Sequence, residues 1–143
     1  MRVSVDVNDI HIRSFKGRIK MVDCVFISFA REIYENKEIK SEDTLYFKWL
    51  KRAFEKRGKL WEYIETEEDM VGRVNVFRKL IDSLKENGYK RRLEPKKIVI
   101  KGVEYGALTA KKVKDGYDLI DGHHRISILI MLGSKTVTLK IND

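Results

Sequence analysis

The chain has 143 residues, of which 43% are hydrophobic and 36% are charged. This balance is typical of one folded domain and excludes an intrinsically disordered chain. The formal net charge of +8 favours a polyanionic partner such as a nucleotide or nucleic acid, although a basic surface can also serve solubility alone.

The sequence also bears on where the protein works. No apolar run approaches the ~20 residues that a membrane-spanning helix needs, so no membrane partner is expected. Charges interrupt residues 1–22 throughout, which argues against a secretory signal. Cys24 is the single cysteine, and a cytoplasmic location is therefore expected. The absence of glutamine and the many Lys, Arg and Glu residues are typical of thermophile proteins.

The first part of the chain is predicted to contain extended structure and two helices. Residues 1–13 alternate apolar and polar side chains and form one strand or an extended hairpin. Asp23 is placed to cap a first helix. The apolar face of that helix comprises Phe26, Phe29, Ala30 and Ile33. A second helix covers residues 43–57 and ends at Gly58. Its inward residues are Phe47, Leu50 and Phe54.

A third helix is predicted over residues 67–87, because apolar residues recur there at helical spacing. The inward positions are Val74, Phe77, Ile81 and Leu84. The acidic run of residues 65–69 suits the positive end of this helix, and Asn87-Gly88 ends it. The same run could instead supply a general base, which leaves two interpretations of these carboxylates.

Short strands are predicted after the third helix. Residues 97–103 form a strand, and residues 112–120 form a hairpin that turns at Asp115-Gly116. Residues 124–132 form a helix that Gly133 ends, and residues 135–141 form the last strand. A helical first part therefore precedes a smaller part of mixed composition.

The segment Asp121-Gly122-His123-His124-Arg125 joins the hairpin to the last helix, and we call it the DGHHR box. The helix behind it is apolar on nearly all faces and must be buried. The box is therefore predicted to be the exposed, rigidly held tip of a core helix. Such rigidity is what a binding site needs.

The chemistry of the DGHHR box suits an anion. The first free N–H groups of a helix carry partial positive charge. Gly122 can adopt backbone angles that are closed to other residues, and Arg125 can hold two phosphate oxygens together. His123 and His124 can donate hydrogen bonds or titrate near neutrality. Asp121 could hold a Mg²⁺-bound water or orient a histidine.

The order of strand, DGHHR box, apolar helix, glycine and strand resembles the ParB/sulfiredoxin-like superfamily. Its partition-protein domains carry a G-x-x-R box, and its sulfiredoxins carry a G-C-H-R box. The similarity covers about residues 70–143, including FRKLIDSLKENGY at residues 77–89 and the hairpin that leads into the box. The DGHHR form is most similar to the free-serine-kinase-like and ParB-like nuclease domain branch.

The resemblance implies an α+β fold in which a small mixed sheet is packed against helices. Residues 66–143 form this core, and residues 1–65 precede it as a strand plus a helical elaboration within one compact unit. It also implies binding of a nucleotide di- or triphosphate, with Mg²⁺ and ATP, ADP or CTP. The implied phosphate-binding residues are Gly122, His123, His124 and Arg125.

The resemblance further implies phosphoryl transfer or hydrolysis as a candidate activity. Asp121 and His123 are the candidate catalytic residues. His123 falls where sulfiredoxins have their catalytic cysteine, so sulfiredoxin activity is not expected. That role is not transferred to Cys24, and Ser127 is expected to be a small packing residue.

Alternatives to nucleotide binding stay open. A transition metal on the DGHHR box is disfavoured, because adjacent helical side chains point about 100° apart. Arg125 could simply pair with Asp121 while a histidine holds the turn. A nucleic-acid-binding partition-type protein or ParB-like nuclease could use the basic residues of 48–59. A second basic cluster comprises Lys90, Arg91, Arg92, Lys96 and Lys97. An interaction module without chemistry is the remaining alternative.

Overall fold

The computed structural model describes residues 1–14, 17–58, 64–88, 98–100, 103–105 and 107–142. The strands in this part of the chain are β1 Arg2–Asp6, β2 Ile10–Ser14, β3 Gly17–Lys20, β4 Ile98–Ile100, β5 Val103–Tyr105, β6 Thr109–Val113, β7 Gly116–Asp121 and β8 Thr136–Asn142. The α-helices are α1 Val25–Glu35, α2 Leu45–Arg57, α3 Glu67–Asn87 and α4 His123–Met131.

Six strands form one mixed sheet in the order β1-β8-β6-β7-β2-β3. The pairs β1–β8, β6–β7 and β2–β3 are antiparallel, whereas β6–β8 and β2–β7 are parallel. Strands β4 and β5 form a separate antiparallel pair. The α+β class with a mixed sheet and packed helices is thereby confirmed.

The core lies between this sheet and the helices. Along β8, Val137 and Leu139 are buried while Thr136 and Lys140 are exposed, which is the alternation expected of a sheet with one covered face. Helix α4 packs against α1 and α3, and its residues from Arg125 to Leu129 are buried. The sheet draws β1, β2 and β3 from residues 1–65 and the other three strands from residues 66–143.

The predicted helices agree well with those observed. Helix α3 spans the predicted residues 67–87, with Gly88 at its C-terminal cap. Helix α2 begins at Leu45, because the Thr44 side chain accepts a hydrogen bond from the Phe47 N–H, and it ends at Gly58 as predicted. Of its predicted inward residues, Phe47 and Leu50 are buried and Phe54 is half-buried.

Three local predictions are wrong in detail. Residues 1–13 contain two strands that pair with other strands and not with each other, so the hairpin alternative fails. Asp23 does not cap α1, because it lies within a short 3-10 turn and Cys24 takes the cap position. The β6–β7 hairpin exists, but Gly116 already pairs with Val113, so the turn residues are 114 and 115.

Two predictions fall partly outside the described residues. Of the strand predicted over residues 97–103, residues 98–100 and 103 are strand, and residues 97, 101 and 102 lie outside the described part. The second basic cluster, at residues 90–92, 96 and 97, lies wholly outside it. Within the described residues, no helix combines the length and the apolar character needed to cross a membrane.

Candidate functional site

The DGHHR box lies where β7 ends and α4 begins. Gly122 is the N-cap of α4 and adopts φ 113° and ψ 18°, a left-handed conformation that L side chains rarely tolerate. A Cβ at this position would lie 2.4 Å from Cδ2 of the buried Leu108. Both the backbone angle and the available space therefore require glycine here.

The first turn of α4 presents backbone N–H groups at its positive end. The Ile126 N–H donates to the Gly122 carbonyl at 2.9 Å, and the N–H groups of residues 123–125 lie ahead of this bond. Such N–H groups have no acceptor within the helix and attract anions. This arrangement agrees with the predicted anion-binding role of the box.

Arg125 is buried and not part of an exposed tip. Its side chain is 2% exposed, and its Nη2 lies 3.7 Å from Oδ2 of Asp121, which is 56% exposed. Because Arg125 precedes Ile128 and Leu129 by three and four residues, it lies on the same side of α4 as these buried residues. The expectation that the whole box is exposed is wrong for Arg125, whose guanidinium sits beneath the helix start.

His124 lies among aromatic rings. Its Nε2 is 3.1 Å from the Tyr46 Oη, and its ring centroid is 4.5 Å from that of Phe26 and 5.5 Å from that of Phe77. Burial lowers the pKa of His124 well below its ordinary value, and the positive charges of Arg73, His123 and Arg125 act in the same direction. A neutral imidazole is therefore favoured at neutral pH.

His123 is half-buried and has different surroundings. Burial lowers its pKa as well, while the negative charge of Asp121 opposes this shift. Its backbone carbonyl accepts a hydrogen bond from the Ser127 Oγ at 2.7 Å. A neutral imidazole beside an exposed carboxylate can accept a proton from a reacting group.

Arg73 of α3 is a neighbour of the box that sequence reasoning missed. Its charge acts on His124, and Phe77, one turn later on the same helix, contacts the His124 ring. Arg73 follows the buried Met70 by three residues, so helical spacing placed it on the inward face. That spacing was the available signal, and it became interpretable only once α3 was known to pack against α4.

Cys24 lies close to the box although it is about a hundred residues away in sequence. Its Sγ is 3.8 Å from the Oγ of Ser127, and both residues are buried. Burial raises the pKa of the Cys24 thiol, so the thiolate is disfavoured at neutral pH. The contact is one of packing, and the Ser127 hydroxyl is occupied by the His123 carbonyl.

The acidic run at residues 65–69 stabilises the start of α3. The Thr66 side chain accepts from the Asp69 N–H at 3.1 Å, and the Asp69 carboxylate accepts from the Glu65 and Thr66 N–H groups at 3.0 and 3.1 Å. These backbone bonds lower the pKa of Asp69. Glu67 pairs with Lys51 at 2.9 Å. This capping box supports the structural interpretation of the run over a catalytic one.

The donor set at the box is not that of a transition-metal centre. Among the residues that the structure describes, no group of three or more His, Cys, Asp or Glu side chains could hold a metal ion. One exposed carboxylate beside an anion site is instead the kind of partner that Mg²⁺ uses together with phosphate oxygens.

No family model, no curated protein and no solved structure matches this chain.

Proposed function

We propose that this chain binds a nucleotide di- or triphosphate with its phosphates at the N-terminus of α4. The observation that carries the proposal is the convergence of positive charge on this point. Arg73 from α3 and Arg125 from α4 both act on His124, immediately after the left-handed Gly122. Positive groups on two helices at a helix N-terminus favour a multiply charged anion.

Each residue of the DGHHR box has a distinct part in this proposal. The N–H groups of residues 123–125 bind phosphate oxygens, and Gly122 allows the close approach of the backbone. Arg125 acts from below as a buried charge that raises the local potential. His124, bonded to Tyr46, holds the first turn in place.

A ParB/sulfiredoxin-like relationship is part of the same proposal. The mixed sheet, the glycine at the helix start and the buried α4 agree with what the resemblance implies. Mg²⁺ would bind between the phosphates and the exposed Asp121 carboxylate, in part through water. Where the nucleotide is also cleaved or transferred, His123 or Asp121 would accept the proton of the attacking hydroxyl or water.

Calorimetric titration with ATP, ADP and CTP, each with and without Mg²⁺, tests the proposal. Arg73→Gln should weaken binding about tenfold, since a lost charge–phosphate interaction is worth about 1.5 kcal/mol. The matched control is Lys79→Gln, which changes an exposed cation of the same helix and should bind as the wild type does. Arg125→Lys keeps the buried charge and should bind more tightly than Arg125→Gln.

Two results would contradict nucleotide binding. One is the absence of any heat of binding by the folded wild type at high protein concentration. The other is equal affinity in Arg73→Gln and Lys79→Gln. For turnover, Asp121→Asn and His123→Ala should each reduce nucleotide cleavage at saturating nucleotide while the dissociation constant stays within a few-fold of the wild-type value.

A further inference from the structure

Helix α2 carries a basic ridge next to an aromatic side chain. Lys48, Arg52 and Lys56 follow one another at four-residue spacing and are all exposed. Trp49 lies on the adjacent ridge and is half-buried. We call Trp49 together with this basic ridge the α2 strip.

The α2 strip is joined to the DGHHR box by aromatic contacts. The Trp49 ring centroid lies 5.4 Å from that of Phe26, and the Phe26 centroid lies 4.5 Å from that of His124. Phe26 and Trp49 are both half-buried, so each keeps part of its surface at the protein exterior. A ligand that starts at the box therefore meets Phe26, then Trp49, and then the cations of α2.

The charge of α2 is strongly one-sided. Five of its thirteen residues are Lys or Arg, and Glu55 is its single acidic residue. Lys51 pairs with Glu67 of α3, whereas the ridge of Lys48, Arg52 and Lys56 points to solvent. A surface of this kind is complementary to a chain of phosphates and extends well beyond the reach of one nucleotide.

We propose that the α2 strip binds single-stranded nucleic acid, whose terminal phosphate occupies the N-terminus of α4. The inference rests on the proposed function, because it uses the same phosphate site. The strand must be single, since base stacking on Phe26 and Trp49 requires unpaired, open base faces. The basic ridge then binds the phosphates that follow the stacked bases.

Fluorescence anisotropy with short, labelled oligonucleotides tests this inference. The probes carry a phosphate at the 5′ end, at the 3′ end, or at neither end, and are titrated at several salt concentrations. One of the phosphorylated probes should bind about tenfold more tightly than the probe without a terminal phosphate, as expected for one charge-assisted anion contact. Arg73→Gln should abolish that difference.

Variants of the α2 strip separate charge from stacking. The double variant Lys48→Gln, Arg52→Gln should reduce the salt slope of binding by about two, one for each lost phosphate contact. Trp49→Ala should weaken binding about tenfold, and Trp49→Phe should recover most of it. Lys140→Gln, at an exposed lysine of β8, is the control and should bind as the wild type does.

The outcomes distinguish this inference from the proposed function. Mononucleotide binding that depends on Arg73, with no tighter binding of any oligonucleotide, would overturn the strand inference alone. Oligonucleotide binding that ignores the terminal phosphate or the α2 variants would overturn it too. Loss of mononucleotide binding in the exposed Lys48→Gln, Arg52→Gln variant would also contradict it, because these cations are assigned to the longer strand.

Discussion

At the scale of single residues, the two adjacent histidines of the DGHHR box differ because their environments differ. His124 is held among Phe26, Phe77 and Tyr46, and nearby cations add to the effect of burial on its pKa. His123 has an exposed carboxylate beside it. The sequence identified both as candidates but could not assign them different tasks, because their neighbours come from other helices.

We expect the stability of the protein to fall as the pH decreases below about 6.5, the ordinary pKa of histidine. The pKa of His124 is depressed in the folded state, so the unfolded chain binds more protons in this range. Stability is therefore fully present above the unfolded pKa and is lost as the pH falls towards the folded one. Urea unfolding measured on both sides of pH 6.5 gives this dependence.

His124→Gln should flatten the dependence, since glutamine can still bond to Tyr46 but does not titrate. His11→Gln leaves the box intact and should keep the decrease. A wild-type unfolding free energy that is constant from about pH 7.5 to 5.5 would contradict the assigned environment of His124.

At the scale of elements, most boundaries follow from local signals. Helix α3 begins at a capping box formed by Thr66 and Asp69, and it stops at Gly88. The start of α1 was missed, because Asp23 lies in a 3-10 turn that packs within the fold and no side chain caps this helix. Local rules predict an element well when its own side chains satisfy its ends.

The junction of β7 and α4 is expected to tolerate no side chain at Gly122. Gly122→Ala should lower the free energy of unfolding by about 1–3 kcal/mol more than Gly133→Ala does. Both glycines have positive φ, of 113° and 100°, but a Cβ would meet Leu108 only at Gly122, whereas nothing lies within 4 Å at Gly133. Chemical denaturation of the two variants measures the difference.

Equal losses in the two glycine variants would show that Leu108 moves aside without cost. Nucleotide titration of the same variants adds a functional comparison. Gly122→Ala should also weaken phosphate binding, because the added methyl group displaces the start of α4, whereas Gly133→Ala should not.

At the scale of the whole molecule, the sheet joins the two ends of the chain. Val5 of β1 pairs with Val137 of β8, and Ile10 of β2 pairs with Tyr117 of β7. The boundary predicted between residues 65 and 66 thus separates strands that share one sheet. Strand order was not predictable, because the alternation of apolar residues marks a strand's buried face but not its neighbours.

Residues 66–143 expressed alone are therefore expected not to fold. This fragment would lose β1, β2 and β3 from the sheet, and also α1, which packs on the apolar α4. Amide proton dispersion by NMR and the cooperativity of thermal unfolding measure the outcome. Adding residues 1–65 in trans should increase the dispersion, and a cooperative transition by residues 66–143 alone would contradict the expectation.

The sequence by itself determined the α+β class, the bounds of α3, the β6–β7 hairpin and a box of polar residues at the start of an apolar helix. These depend on interactions between residues close in sequence, such as helix caps, turns and periodic apolar faces. Only the tertiary structure decided that Arg125 is buried, that Arg73 and the aromatic rings adjoin His124, and that α2 lies beside the box. Those facts depend on packing between distant segments, where burial and charge are properties of the neighbours and not of the residue itself.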